Sequence, residues 1–166
     1  MLSEPHESDI IFAEIGRITV RWAEVEDVLA ILVSSLLNDF QRYTRIVATE
    51  LSYRNLTNLI LSLYRERHGE DDDFSHLKEL IGKADKVEQD RNKITHSTWY
   101  SAGTPHLVTR IKKTAKRKYS SNIENYDPES FRKISDEIVE IKQELVALIQ
   151  SLIEKGKAFE NPVFEN

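Results

Sequence analysis

SDIIFAEIGRITVRWAEVEDVLAILVSSLLN, residues 8–38, decides the fold. Within it Ile11, Ile15, Ile18, Trp22, Val25, Leu29, Leu32 and Leu36 follow one another at alternating steps of four and three. That spacing returns each side chain to one side of an α-helix and, held over more than three heptads, makes a seam of the coiled-coil kind. The remaining faces carry Glu14, Arg17, Arg21, Glu24 and Glu26, as a solvated surface should. The stretch predicts a first helix from about Ser8, or a turn earlier, to about Asn38, with Trp22 in the core.

A seam needs partners, and the chain supplies them. Asp127-Pro128-Glu129 is a helix start, with Asp as cap and Pro in the first turn. Phe131, Ile134, Ile138, Ile141, Leu145, Leu148 and Leu152 then form a second seam, which Gly156 ends. Between the two, Asn38 with Gln41 reads as a capping box for a short helix carrying Phe40, Tyr43, Ile46 and Val47. Ser52 caps a third helix bearing Leu56, Leu59, Ile60 and Leu63, which runs out at His68-Gly69. The acidic run Glu70–Asp73 suits the start of a fourth, which reaches about His96. After it, Thr98–Ser101 and His106–Ile111 flank Gly103-Thr104-Pro105, which predicts a small β-hairpin. Lys112 to Tyr126 reads as a basic, exposed loop. The expected fold is all-α: an up-and-down bundle of four to five helices in one domain, residues 1–166, with an insertion over 98–126 before the last helix.

Composition narrows the function classes. A chain of 166 residues, 40% apolar, with only five Gly and four Pro, suits a compact helical domain. There is no Cys, so there is neither a disulfide framework nor a thiolate metal site nor a thiol nucleophile. No His has a Glu three residues before it or another His four residues on, so no metal or other cofactor is expected. The acidic N-terminus lacks the shape of a signal peptide, and the apolar region Val25–Leu37 contains Glu26, Asp27 and two serines. The expectation is a cytoplasmic protein that makes no membrane contact. The net charge of −5 argues against bulk nucleic-acid binding, yet Arg110, Lys112, Lys113, Lys116, Arg117 and Lys118 fall together without an intervening acid. They are candidates for tracking a phosphate backbone.

The chemistry lies at the end of the fourth helix, in Asp90-Arg91-Asn92-Lys93-Ile94-Thr95-His96. The apolar stripe Leu77, Leu80, Ala84, Val87 reaches Arg91 where another aliphatic residue belongs, and resumes at Ile94. A guanidinium there is costly unless it is paired or lines a cavity or interface. On an ideal helix Arg91 and His96 are about 140° and about 7.5 Å apart, a gap that a long Arg and a fraying helix end can close. Asn92 shares a face with His96. Around one RNA phosphate, Arg91 would hold the charge, His96 would move a proton at the attacking 2′-hydroxyl or the leaving 5′-oxygen, and Asn92 would orient either group.

An Arg, four intervening residues and a His late in a helix of a small all-α protein resemble the HEPN superfamily, and Asn92 supplies the polar residue frequent after that Arg. The resemblance covers Arg91, Asn92 and His96, together with the order of helices around them. It implies a homodimer in which two copies of the motif share a cleft, and a metal-independent endoribonuclease of the toxin–antitoxin, phage-defence or RNA-processing kind. It also implies RNA as substrate and an antitoxin or other regulatory protein as partner. In one subgroup a Tyr two residues after the His is the site of modification; here that position is Thr98, with Tyr100 two further on, so that mode of control is in doubt. The alternative is a non-catalytic module that dimerises or binds a nucleotide. Trp99 and Tyr100 read as packing residues of the hairpin, and His6, His68, His76 and His106 as surface residues.

Overall fold

A computed structural model describes residues 7–39, 42–101, 107–114 and 120–160. The protein is an all-α helical bundle with a small antiparallel sheet inserted before its last helix. Its elements are α1 (Glu7–Leu37), α2 (Arg42–Glu50), α3 (Tyr53–His68), α4 (Asp72–Thr95), β1 (Thr98–Ser101), β2 (Val108–Thr114), β3 (Ser120–Tyr126) and α5 (Pro128–Glu154). Both seams are cores. Every seam residue of α1 is buried except Ile15, and every one of α5 except Ile134, each of these two being half-buried. The chain divides into two compact units, Met1–Arg21 with Lys86–Ile138, and Trp22–Asp85 with Val139–Asn166.

Among its described residues the second unit holds helices and their connections and no strand. Trp22, Leu29, Leu32, Leu36, Ile60, Tyr64, Leu77 and Leu80 are its largest fully buried side chains. Its helix ends follow local chemistry. Ser52 accepts the Asn55 amide at 3.4 Å, and Asp71 accepts the Phe74 amide at 2.8 Å to cap α4. Gly156, at φ 69°, ends α5 with its own N–H on the Ile153 carbonyl and that of Lys157 on the Leu152 carbonyl, at 2.9 and 2.8 Å. This Schellman arrangement satisfies carbonyls that the helix leaves open. Lys157 then bonds Asp71 and Asp73, fixing the chain beyond α5 to the start of α4.

Two expectations need correcting in this unit. Asn38 does not cap α2. It sits at φ 52° and ends α1, with the Asp39 N–H on the Ser34 carbonyl at 3.1 Å, the same kind of C-terminal lock. The bulky apolar residues of α2, whose covered face the sequence reading leaves open, point outward: Tyr43, Ile46 and Val47 are exposed, and Thr44 and Ala48 are buried. Small side chains let a short helix lie close, and they outweigh the bulky stripe. Phe40 and Gln41 lie outside the described residues. His68 is no plain surface residue, since its ring packs on Tyr64 at 5.0 Å and its Nε2 is buried; His6 and His106 lie outside the described residues.

The first unit holds the sheet, and much of the expected loop is strand: residues 112–114 extend β2, residues 120–126 form β3, and residues 115–119 lie outside the described residues. The order is β1-β2-β3, all antiparallel, with β3 running through residues 120–126. The register sets Trp99 opposite Arg110 and Arg110 opposite Glu124. Directly paired residues point to one face and alternate along each strand. One face therefore carries Trp99, Val108, Arg110, Glu124 and Tyr126, and the other carries Tyr100, Thr109, Ile111, Ile123 and Asn125. The first face is the packed one: Val108 and Arg110 are buried, whereas Tyr100 and Ile123 are exposed. Trp99, Tyr126 and Phe131 of α5 form an aromatic trio with centroids 5.1 to 5.7 Å apart. Buried Glu14 is paired with Arg17 and Arg132, and Arg21 reaches the buried Ser135 hydroxyl at 2.7 Å.

Candidate functional site

The last turn of α4 is closed by one backbone amide and two side chains. A helix leaves its final carbonyls without partners; here the Asn92 carbonyl takes the His96 N–H at 3.1 Å, the Lys93 carbonyl takes the Ser97 hydroxyl, and the Ile94 carbonyl takes the Trp99 indole N–H at 3.0 Å. Ile94 is buried and anchors the turn from below. His96 thus stands just past the helix end, exposed, with its own N–H held by the Asn92 carbonyl.

The sheet braces the same turn from the other side. Arg110 donates from Nε to the Ser97 hydroxyl oxygen at 2.7 Å and from Nη1 to the Glu124 carboxylate. The Tyr126 hydroxyl donates to that carboxylate at 3.1 Å. Arg110 is only 3% exposed. Partial burial pushes the Glu124 carboxyl up, but hydrogen bonds from Tyr126 and Arg110 and the nearby cations hold it below the ordinary carboxylate range. Burial and the Glu124 charge together raise the Tyr126 hydroxyl.

Gln89, Asn92, Lys93, His96, Ser97 and Arg110 surround a depression of about 350 Å³. The structure therefore brings together Asn92, His96 and Arg110. Arg91 is absent from these walls: its Nη1 donates to the Asn92 side-chain oxygen at 2.9 Å, and its Nε is buried with no partner among the described residues. Asn92 in turn donates to Glu88. Arg110 leaves the exposed basic run and becomes a buried part of the site. Lys112 and Lys113 lie on β2, and Lys116, Arg117 and Lys118 lie outside the described residues.

Lys93, Ser97 and Glu124 are the residues that sequence reasoning missed. Lys93 is held by Asp90 at 2.6 Å, and that hydrogen bond raises its pKa. Chemically, the depression offers an exposed imidazole able to give or accept a proton, an amide fixed by Arg91 and Glu88, and two cationic side chains. Among the described residues no group of three or more His, Asp or Glu side chains is placed to hold a metal ion, and no helix is long and apolar enough to cross a membrane. Compared with known proteins, the chain matches no family model, no curated protein and no solved structure.

Proposed function

We propose that the protein is a metal-independent endoribonuclease of the HEPN type, acting in the cytoplasm as a toxin or phage-defence effector that a partner protein restrains. The observation that carries this reading is the exposed His96 sharing one depression with Asn92, Lys93 and Arg110. His96 takes the 2′-hydroxyl proton or gives one to the leaving 5′-oxygen. The O2′–P bond forms as the P–O5′ bond breaks, leaving a 2′,3′-cyclic phosphate and a 5′-hydroxyl. Asn92 and Arg91 act as a coupled pair beside the transition-state charge. A second copy of the chain in a homodimer brings its own Arg91, Asn92 and His96 to a composite cleft. None of these roles requires a cofactor.

A second reading, a non-catalytic module that dimerises or binds a nucleotide, is favoured by one feature: Arg91 is turned to Asn92 and does not line the depression. Replacing His96 by Ala separates the two. The exposed position predicts unchanged helicity and unchanged mass in solution, with RNA cleavage in EDTA lost. Cleavage equal to wild type would remove His96 from the chemistry, and a change of oligomer with no cleavage by either protein would favour the module.

A further inference from the structure

We propose that the depression at the end of α4 is a phosphate-binding site whose principal cation is Arg110 of the inserted sheet, with Arg91 serving as a positioning residue behind Asn92. The inference rests on the proposed nuclease only for its biological use, because phosphate binding is measurable without any cleavage. It changes which arginine touches the ligand.

The argument starts from what each guanidinium has left to offer. A guanidinium carries five N–H donors in one plane. Arg91 reaches Asn92 with Nη1, keeps Nε in the interior, and contributes nothing to the walls of the depression. Arg110 lines it. The Nε and Nη1 of Arg110 are engaged by Ser97 and Glu124, and Nη2 carries two further N–H groups. A side chain held at two points loses little conformational freedom when it meets a ligand, so its remaining donors are pre-organised. At 3% exposure the guanidinium offers a small part of its surface to the depression, in surroundings where a hydrogen bond is stronger than in bulk water.

The other walls complete a phosphate site. Lys93 is exposed and, among the described residues, bonded only to Asp90, three residues before it, so its ammonium is able to swing to a ligand. Asn92 presents an amide that Arg91 and Glu88 fix, and the imidazolium form of His96 adds an N–H. Ser97 links the two halves, receiving Arg110 and capping the Lys93 carbonyl. Occupancy of the site is thereby coupled to the turn that carries His96. The charges of Glu124 and Asp90 offset the two cations, so the site suits a single phosphate held by directed hydrogen bonds more than a diffuse polyanion.

The test is a titration of the full-length protein with inorganic phosphate and, separately, with uridine 3′-monophosphate, followed by NMR. The arginine Nε–Hε and the backbone amide signals of wild type, Arg110→Lys, Lys93→Gln and Arg91→Lys are recorded. In wild type the Arg110 Nε–Hε signal and the Asn92–Ser97 amides should move together and saturate. Arg110→Lys should bind at least tenfold more weakly and Lys93→Gln severalfold more weakly, with Arg91→Lys the least affected of the three. If Arg110→Lys fails to fold, the wild-type Arg110 signal and the exposed Lys93→Gln variant still decide. Equal responses to both ligands mean that the phosphate alone is recognised; a response to the nucleotide alone means that the base is also held, and the Arg110 signal must move in either case. Movement of the Arg91 signal with Arg110 unmoved overturns the assignment, as does no saturable binding of either ligand. Binding without RNA cleavage would defeat the nuclease and leave this site standing. Cleavage with Arg110 unmoved would do the reverse.

Discussion

Phe131→Ala tests whether the inserted sheet is packed onto the start of α5 or merely lies beside it. The Phe131 side chain is fully buried, and its ring lies 5.1 Å from Trp99 and 5.7 Å from Tyr126, both in tilted geometry. Burying a phenyl group is worth about 1.5–3 kcal/mol, and each aromatic pair adds about 0.5–1.5 kcal/mol. Truncation of buried Phe to Ala costs about 3–5 kcal/mol, so a loss of about 4 kcal/mol is expected. Phe131→Leu keeps most of the apolar volume and forfeits the ring pairs, a loss of about 1–3 kcal/mol. The assay is urea unfolding followed by circular dichroism at 222 nm. With a slope of about 2 kcal/mol per molar urea, the Ala variant should unfold about 2 M earlier than wild type. Amide exchange should also quicken over Ile94–Trp99, because Trp99 holds the Ile94 carbonyl through its indole. A midpoint shift below about 0.3 M for Ala, with the slope unchanged, would refute the packed trio.

Three further outcomes follow from other parts of the chain. Asp71 has its pKa lowered from 3.8 to about 2, chiefly by the hydrogen bond from Lys157 and then by the Phe74 amide. A depressed carboxyl contributes stability that is full above its unfolded pKa and is lost as pH falls through the folded one; urea midpoints should therefore fall between pH 3.8 and about 2, and Asp71→Asn should flatten that slope. Gly156→Ala places a Cβ at φ 69° and should cost about 1 kcal/mol, lowering the Tm by about 2–4 °C in a thermal melt. Tyr43 is 78% exposed, so Tyr43→Ala should change stability by less than about 0.5 kcal/mol; a larger loss would mean that α2 packs on something through its outer face.

What sequence could disclose depended on how much burial repeats. The seams of α1 and α5 repeat often enough that their burial was legible residue by residue, and the caps at Ser52, Asp127 and Gly156 have local signatures. Strand β3 was not legible: Ser120–Tyr126 contains a single bulky aliphatic residue, Ile123, which points away from the packed face. The burial of Arg110 was hidden for the same reason, because Glu124 becomes its partner only once the β2–β3 register is known. Asn92 and His96 came from helix spacing, and they do share a depression. That Arg91 turns to Asn92 and does not line the depression depends on which rotamer a long side chain takes, and spacing does not encode that. Which face of α2 is covered was not legible, because a short amphipathic pattern indicates a helix without saying which side is covered.

The most direct measurement is the chemistry of the RNA ends. Purified protein is incubated with a mixed-sequence RNA in EDTA, and the products are identified by mass spectrometry, with His96→Ala alongside. Fragments ending in 2′,3′-cyclic phosphate and beginning with 5′-hydroxyl, absent from the variant, are the predicted result. Fragments with 3′-hydroxyl and 5′-phosphate ends, or identical products from His96→Ala, would contradict the proposed function.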